Sequence, residues 1–141
     1  MIYKICPADD WSACQRTGRL PWAPVDHEDG FVHLSAAHQV QQTLALHFRG
    51  RSGLVVLEVD PARLPPGALR WEPSRGGDLF PHLYADLPRD SVVRADTAPL
   101  GDDGVPRVPY ALHDPSGDGA PDDGAPGAGE RDRERDGSDI G

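Results

Sequence analysis

The run Leu54-Val-Val-Leu-Glu-Val59 constrains the fold more than any other part of this 141-residue chain. Five of its six residues are apolar, three are β-branched, and Asp60-Pro61 breaks the run. A strand that is apolar on both faces has to be covered on both sides and to lie between partner strands. The run therefore predicts the central strand of a sheet.

The elements around this strand indicate an α+β fold. One helical pattern follows Pro7, has Asp9 and Asp10 in its first turn and ends at Gly18. A second helix is predicted to be capped by Ser35 and to run to about Phe48, after an irregular surface loop at 19–30. Further strands are predicted at 2–5, 31–34, 69–72 and 79–84, and a terminal hairpin at 90–95 and 105–108. Early helices followed by consecutive strands favour α+β over a wound parallel sheet.

The end of the chain cannot build a core. Residues 114–141 contain nine acidic residues and three arginines, and their only large aliphatic residue is Ile140. Without apolar surface to offset the entropy of ordering, this stretch predicts a disordered tail rich in Gly, Pro, Asp and Arg. Residues 1–113 remain as a single domain, with 14 acidic and 11 basic residues and enough length for one core.

Composition also excludes several classes of protein. Cys6 and Cys14 have no C-x-x-C spacing and the first ten residues lack a secretory signal, so we expect a cytoplasmic protein. The longest apolar run is far shorter than the about 20 residues of a bilayer span, so no membrane helix is expected. With one lysine and scattered arginines, the domain has no basic stripe for duplex DNA.

His33 is the first candidate for a functional side chain. It alternates with Val32 and Leu34, so burial of those two turns His33 towards the opposite face, where we expect a cleft. Ser35 shares that direction, and a His and a Ser at a strand–helix junction can hold ribose hydroxyls. The alternative is that Ser35 only caps the helix and His33 is a hydrogen-bonded core residue.

The other histidines of this region do not form a metal-binding pattern. His38 and His47 are nine residues apart on the predicted helix and so face opposite sides. His27 lies in the predicted loop, and no H-E-x-x-H or paired Cys/His spacing occurs. We therefore expect no metal, and a metal-dependent hydrolase is the disfavoured interpretation.

A second candidate site lies between residues 70 and 84. It combines arginines, a carboxylate and rings around a Gly-Gly loop, namely Arg70, Trp71, Glu72, Arg75, Phe80, His82 and Tyr84. This mixture suits a flat, charged ligand, with rings against a base, arginines on phosphate and the carboxylate on a developing cation. The structural alternative is that the rings complete the core and that Arg70 and Glu72 form an exposed cross-strand pair.

Five separated blocks resemble, in the same order, a bacterial family, domain-of-unknown-function family 952. They are Ile2-Tyr3-Lys4-Ile5, Gly30-Phe31-Val32-His33-Leu34-Ser35, the strand that ends in Asp60-Pro61, Arg70-Trp71-Glu72 and Leu79-Phe80-Pro81-His82-Leu83-Tyr84. The resemblance covers about residues 1–110. It implies an ADP-ribosyltransferase-like fold, in which two small, mostly antiparallel sheets surround a cleft for a nicotinamide dinucleotide.

The resemblance also implies roles for individual residues. The 31–35 block is similar to the x-V-H-L-S block of the RNA 2′-phosphotransferases, which places His33 among the catalytic residues and Ser35 among the binding residues. The family's first strand usually reads I-Y-H-I, and here Lys4 stands at the histidine. Lysine binds phosphate as a point charge but does not replace a neutral imidazole. Glu72 is the available carboxylate for the catalytic role.

We therefore expect a domain that binds a nicotinamide dinucleotide or an ADP-ribose-like ligand, without a tightly bound cofactor. ADP-ribosyl or 2′-phosphate transfer is the implied chemistry, with Glu72 stabilising an oxocarbenium-like cation. The expected binding residues are Lys4, Ser35, Arg70, Trp71, Arg75, His82 and Tyr84. The alternative, which Lys4 favours, is a non-catalytic ligand-binding or protein-interaction module, and the acceptor, protein or RNA, is not identified by the sequence.

Overall fold

The computed structural model describes residues 1–74 and 76–108. Arg75 and the predicted tail at 114–141 lie outside the described residues, as does the predicted domain boundary at 113. The helices are α1 (Ala8–Thr17), α2 (Pro24–Asp29) and α3 (Val40–His47). The strands are β1 (Ile2–Pro7), β2 (Val32–His33), β3 (Ser35–Ala36), β4 (Leu54–Val59), β5 (Leu69–Pro73), β6 (Leu79–Leu83) and β7 (Val92–Ala98). These elements confirm an α+β protein.

The larger sheet has β4 in an interior position, as the sequence predicts. Its order is β3-β1-β4-β7, and each neighbouring pair is antiparallel. Val55, Leu57 and Val59 of β4 pack into one apolar cluster, whereas Leu54 and Val56 pack into a second cluster. Since alternate side chains point to opposite faces, both faces of β4 are covered, which explains its nearly continuous apolar sequence.

The smaller sheet has the order β2-β6-β5 and is also antiparallel. Val32 of β2 pairs with Leu83 of β6, and both belong to the core cluster that β4 also enters. The next pair along these strands is His33 with His82. Because side chains alternate, the two histidines project from the face that is turned away from this core.

The chain passes from one sheet to the other at Leu34. β2 ends at His33 in the smaller sheet, and β3 begins at Ser35 in the larger sheet. Leu34 is buried between them and donates its N–H to the Pro81 carbonyl at 3.1 Å. His33 and Ser35, whose side chains were predicted to share a direction at a strand–helix junction, therefore belong to strands of different sheets.

α1 forms where the sequence predicts it. Asp9 and Asp10 lie in its first turn, near the positive end of the helix dipole. Gly18 ends the helix with φ of 93° and donates its N–H to the Cys14 carbonyl at 2.8 Å. Glycine suits this left-handed position because it has no Cβ.

The prediction of an irregular loop at 19–30 is wrong, because this stretch contains α2. Pro24 is the first helical residue, and the Asp26 carboxylate accepts the Ala23 N–H at 2.9 Å. Gly30 ends the helix with φ of 87°. The Pro, Asp and Gly that suggested a loop are boundary residues of a short helix.

The predicted helix cap at Ser35 is also wrong. Ser35 pairs with Tyr3 across β3 and β1. The Gln39 side chain instead accepts the Ala36 N–H at 2.8 Å, at the start of a 3₁₀ turn that leads into α3. The apolar spacing of the predicted helix is confirmed, since Val40 and Leu44 are buried.

The predicted terminal hairpin does not form as expected. β7 pairs with β4 along Val92–Ala98, so its strand partner is not the segment 105–108. Among the described residues, the later segment contributes an isolated bridge between Leu100 and Pro106. The second edge of β4 requires a partner strand, and β7 meets that requirement.

No helix in the ranges 1–74 and 76–108 has the length and apolar character needed to cross a membrane.

Candidate functional site

A buried carboxylate, Asp26, connects α2 to two strands. Its side chain is fully buried, and Oδ2 lies 3.2 Å from Lys4 Nζ. Oδ1 lies 2.7 Å from His33 Nδ1 and accepts the His33 backbone N–H at 3.1 Å. Lys4 Nζ also donates to the His33 carbonyl at 3.1 Å. Lys4, Asp26 and His33 therefore form one closed group of contacts between β1, α2 and β2.

The His33 imidazole is held by carboxylates on both sides. Besides the contact with Asp26, its Nε2 lies 2.9 Å from Asp29 Oδ2, at the other end of α2. The His33 side chain is 3% exposed and that of Asp29 is 41% exposed. The imidazole therefore joins the buried end of α2 to its partly exposed end.

The electrostatics of Asp26 follow from these contacts. Burial by itself would raise the pKa of its carboxyl. The hydrogen bond to His33, the positive charge of Lys4 and two backbone N–H groups outweigh burial and lower the pKa to about 2. Asp26 is thus an ionised carboxylate at neutral pH.

A pocket of about 140 Å³ lies beside this group of contacts. Its wall includes five consecutive residues, Tyr3 to Pro7, of β1. Successive side chains of a strand point to opposite faces, so five in a row line one pocket only when the pocket runs along the strand edge. That edge pairs with β3 at Ile2 and Tyr3 alone among the described residues. Backbone groups of β1 beyond Tyr3 therefore border the pocket.

Ser35 of β3 and Thr43 of α3 also line the pocket and supply hydroxyl groups. Ser35 Oγ lies 3.3 Å from Thr43 Oγ1, and Thr43 Oγ1 donates to the Gln39 carbonyl at 3.0 Å. Because the single Thr43 proton is committed to Gln39, Ser35 is the donor to Thr43. The lone pairs of Ser35 remain for a hydrogen bond from a ligand.

The rim of the pocket carries a positive charge at Arg51. Its guanidinium lies 5.1 Å from the centre of the Phe48 ring, and both residues line the pocket. Asp10, at the start of α1, lines the same pocket. Neither Arg51 nor Asp10 has an ion-pair partner among the described residues. Both charges can therefore act on a ligand.

Cys6 also lines the pocket, and its thiol is unreactive. Burial raises the pKa of its thiol to about 12, against the opposing charge of Lys4. The thiolate is the nucleophilic form of cysteine. Cys6 is therefore not a nucleophile at neutral pH.

A second group of polar side chains lies on the outer face of the smaller sheet. Glu72 Oε1 accepts hydrogen bonds from His82 Nδ1 at 2.9 Å and from the Tyr84 hydroxyl at 2.7 Å. The Arg70 guanidinium lies 5.1 Å from the centre of the Tyr84 ring. The hydrogen bond from His82 is the largest cause that lowers the pKa of Glu72, and the hydrogen bond to Glu72 raises the pKa of Tyr84. We call Arg70, Glu72, His82 and Tyr84 the sheet-face cluster.

Phe31 joins the sheet-face cluster to His33. Its ring stacks on His82 with centroids 4.0 Å apart, and it lies 4.6 Å from the His33 ring. The rings of His33 and His82 are 5.7 Å apart. The two candidate sites of the sequence are thus neighbours that meet at these three rings.

The sequence-predicted residues divide between these places. Lys4, His33 and Ser35 come together at the pocket, and Arg70, Glu72, His82 and Tyr84 come together on the sheet face. Trp71 is 47% exposed and, by strand alternation, projects from the other face of β5. Arg75 lies outside the described residues. The assigned roles of all these residues stay predictions.

Four residues of the site were missed by sequence reasoning: Asp26, Asp29, Thr43 and Arg51. Asp26 lies in the acidic stretch Asp26-His27-Glu28-Asp29, where nothing distinguishes the buried acid from its solvated neighbours. The only signal was the spacing of Asp26 and Asp29, which puts both on one side of a helix. That signal requires α2 to be known first.

No three His, Cys, Asp or Glu side chains converge as metal ligands within the described part of the chain. His27 and His38 are exposed there.

Comparison with known proteins identifies relatives but no activity. The sequence profile described as protein of unknown function DUF952 matches residues 5–95. The crystal structure of protein CC0527 from Caulobacter crescentus is 45% identical, with a TM-score of 0.75 over 79% of this chain and 97% of that chain. Its solution NMR structure is 47% identical, with a TM-score of 0.65 over 74% of this chain and 90% of that chain. No curated protein matches the sequence significantly.

Proposed function

This chain belongs to the family of unknown function DUF952, and we propose that its pocket binds the nicotinamide-ribose end of a nicotinamide dinucleotide or of an ADP-ribose-like ligand. In this proposal the fold is ADP-ribosyltransferase-like, and the pocket between the edge of β1, β3 and α3 is its ligand cleft. One observation carries it: the pocket follows the strand edge of β1 and is also lined by Ser35 and His33.

A strand edge is suited to an amide ligand. Each backbone unit presents one donor and one acceptor, and a primary carboxamide has the complementary pair. A pocket of about 140 Å³ is smaller than the roughly 300–1,000 Å³ of sites that enclose a whole drug-sized ligand. Only one end of a dinucleotide enters, and the remainder has to cross the rim.

Two lining residues have roles in this proposal beyond the strand edge. Ser35 accepts a hydrogen bond from a ribose hydroxyl, because its own proton is given to Thr43. Arg51 at the rim binds the phosphates, with a fork of donors that matches phosphate oxygens. Lys4 is less suited to phosphate than Arg51, since its ammonium already contacts Asp26 and the His33 carbonyl.

Binding without turnover is the second candidate function, and the position of Glu72 favours it. Glu72 does not line the pocket and is hydrogen-bonded to His82 and Tyr84. A carboxylate that stabilises an oxocarbenium ion has to face the reacting carbon. ADP-ribosyl or 2′-phosphate transfer would require the ligand to reach from the pocket to the sheet-face cluster past Phe31.

The binding proposal is tested by titrating the protein with oxidised nicotinamide dinucleotide, nicotinamide and nicotinic acid. We expect the dinucleotide to bind and nicotinamide to bind more tightly than nicotinic acid, since a carboxylate cannot donate to a backbone carbonyl. Arg51→Ala should weaken dinucleotide binding about tenfold at low salt. The matched control is Arg49→Ala, because Arg49 is exposed nearby but does not line the pocket.

The same titrations separate the outcomes. Equal losses in Arg51→Ala and Arg49→Ala, or no dinucleotide binding by the wild type, would overturn the proposal. Incubation of the bound dinucleotide, followed by chromatography for released nicotinamide, distinguishes transfer chemistry from binding alone. Binding alone predicts no release, whereas transfer to water would release nicotinamide.

A further inference from the structure

We propose that Asp26 is a positioning residue for the pocket: together with Asp29 it holds His33 as an imidazolium and thereby fixes α2 as one wall of the pocket. The inference rests on the proposed function for its binding readout alone. Its structural part concerns the protonation of His33 and the anchoring of α2, and these can be measured without a ligand.

The protonation state follows from donor counting. A carboxylate only accepts hydrogen bonds, and His33 has a carboxylate oxygen at 2.7 Å from Nδ1 and at 2.9 Å from Nε2. A neutral imidazole carries one N–H and can donate to one of these two carboxylate oxygens. Two ionised partners therefore require both nitrogens to donate, and only the imidazolium does so.

The surrounding charges are consistent with this state. The groups that face His33 are Asp26 and Asp29 from α2, Lys4 from β1 and His82 from β6, with Glu72 of β5 behind His82. With His33 charged, the two cations Lys4 and His33 balance the two carboxylates of α2. Loss of the His33 proton leaves a net negative charge in a group that is largely buried.

The connection to the pocket runs through α2. The wall of the pocket includes Ala23, Pro24 and Val25, at the start of this helix. Asp26 accepts the Ala23 N–H and binds Lys4 and His33, so one side chain fixes the helix start to β1 and β2. A six-residue helix has too few internal hydrogen bonds to hold its position alone. Without Asp26, this wall has no charged anchor at its first turn.

The first measurement is the protonation of His33 by nitrogen NMR of histidine-labelled protein between pH 5 and 9. We expect both ring nitrogens to carry protons at pH 7 in the wild type and one of them to lose its proton in Asp26→Asn. Amide exchange in α2 should become about tenfold faster in that variant. A neutral His33 in the wild type at pH 7 would overturn the inference.

Asp29→Asn gives a second variant that leaves the buried Asp26 intact. An asparagine amide donates to Nε2, so neutral His33 is then satisfied, and binding should no longer depend on the His33 proton. With oxidised nicotinamide dinucleotide as the probe, wild-type affinity should fall as His33 deprotonates, and Asp29→Asn affinity should stay constant over the same pH range. Glu28→Gln, an exposed neighbour in the same helix, is the matched control and should behave like the wild type.

The outcomes distinguish this inference from the proposed function. If the dinucleotide does not bind to the wild type, the proposed function fails, while His33 protonation and α2 exchange still decide the role of Asp26. If the dinucleotide binds and Asp26→Asn binds it within twofold of the wild type with an unchanged pH profile, Asp26 is not a positioning residue.

Discussion

At the scale of single residues, Asp26 makes the free energy of unfolding depend on pH in the acid range. Its pKa falls from 3.8 to about 2 on folding, so the folded state is favoured where the carboxyl is ionised. This contribution is fully present above the unfolded pKa near 4 and is lost as pH falls through 2. A difference of this size is worth about 2 kcal/mol.

We therefore expect the wild type to lose about 2 kcal/mol more unfolding free energy between pH 4.5 and pH 2 than Asp26→Asn does. Urea unfolding of both proteins across this range measures the difference. Other carboxylates cancel in the comparison because both proteins contain them. Parallel stability curves for the two proteins would contradict the ionised, hydrogen-bonded state of Asp26.

His33 is a second residue for which stability is expected to change sharply. His33→Ala removes the partner of two carboxylates and leaves Asp26 buried with Lys4 as its remaining side-chain partner in the described part of the chain. Breaking such a buried charged contact costs about 3 kcal/mol or more. Urea unfolding checks this value, with the exposed His38→Ala as the control. A loss below about 1 kcal/mol would instead indicate a solvated cleft residue.

Residue positions were predictable from the sequence where a simple alternation decided them. The His33 side chain points away from those of Val32 and Leu34 because side chains alternate along a strand, and these two apolar neighbours are in the core. The partners of His33 were not predictable, because Asp26 and Asp29 reach it only after α2 has formed. The contact between Phe31 and His82 likewise depends on the pairing of β2 with β6.

At the scale of elements, β4 is expected to be the most sensitive strand to loss of volume. Leu57 is fully buried at its centre, and Leu57→Ala should cost about 2–5 kcal/mol through lost burial and a cavity. Val93 on β7 is 45% exposed, so Val93→Ala should cost less than about 1 kcal/mol. Thermal or urea unfolding of the two variants tests the contrast. Similar losses would mean that β4 is not the centre of the core.

Elements differ in how well the sequence specified them. β4, α1 and β5 carry their own pattern, such as a continuous apolar run or a glycine end, and they were predicted within a residue or two. α2 was missed because six residues are too short for an apolar period to appear. The pairing of β7 was misread because 105–108 follows this strand closely enough in sequence to form a hairpin, whereas β4 is distant in sequence. Only the requirement of β4 for a second neighbour decides between them.

At the scale of the whole molecule, the segment from β2 to β3 explains why the candidate site lies where it does. β2 belongs to one sheet and β3 to the other, with Leu34 buried at the crossing. The side chains on either side of the crossing, His33 and Ser35, both line the pocket. The five-residue block 31–35 therefore brings side chains from both sheets to the pocket. This placement accounts for the alternation of apolar and polar residues in the block.

The last prediction concerns where the folded unit ends. Val108 packs against the core cluster of Tyr3 and Ile5, and its N–H donates to the Gln41 side chain at 2.8 Å. Val105 is buried as well, so the domain needs the chain at least as far as Val108. Residues 114–141 hold nine acidic residues, three arginines and one large aliphatic residue, and they offer no surface that would pack there.

Removal of residues 114–141 should therefore leave the melting temperature within error and raise the isoelectric point, since the net charge becomes less negative, from −9 to about −3. Truncation after Gly104 is the matched comparison, because it also removes Val105 and Val108. Loss of that packing should lower the melting temperature by roughly 5 °C or more in a domain of this size. Differential scanning calorimetry of the three proteins measures both effects. If removal of residues 114–141 alone lowers the melting temperature by several degrees, the acidic stretch packs on the domain, which its composition does not predict.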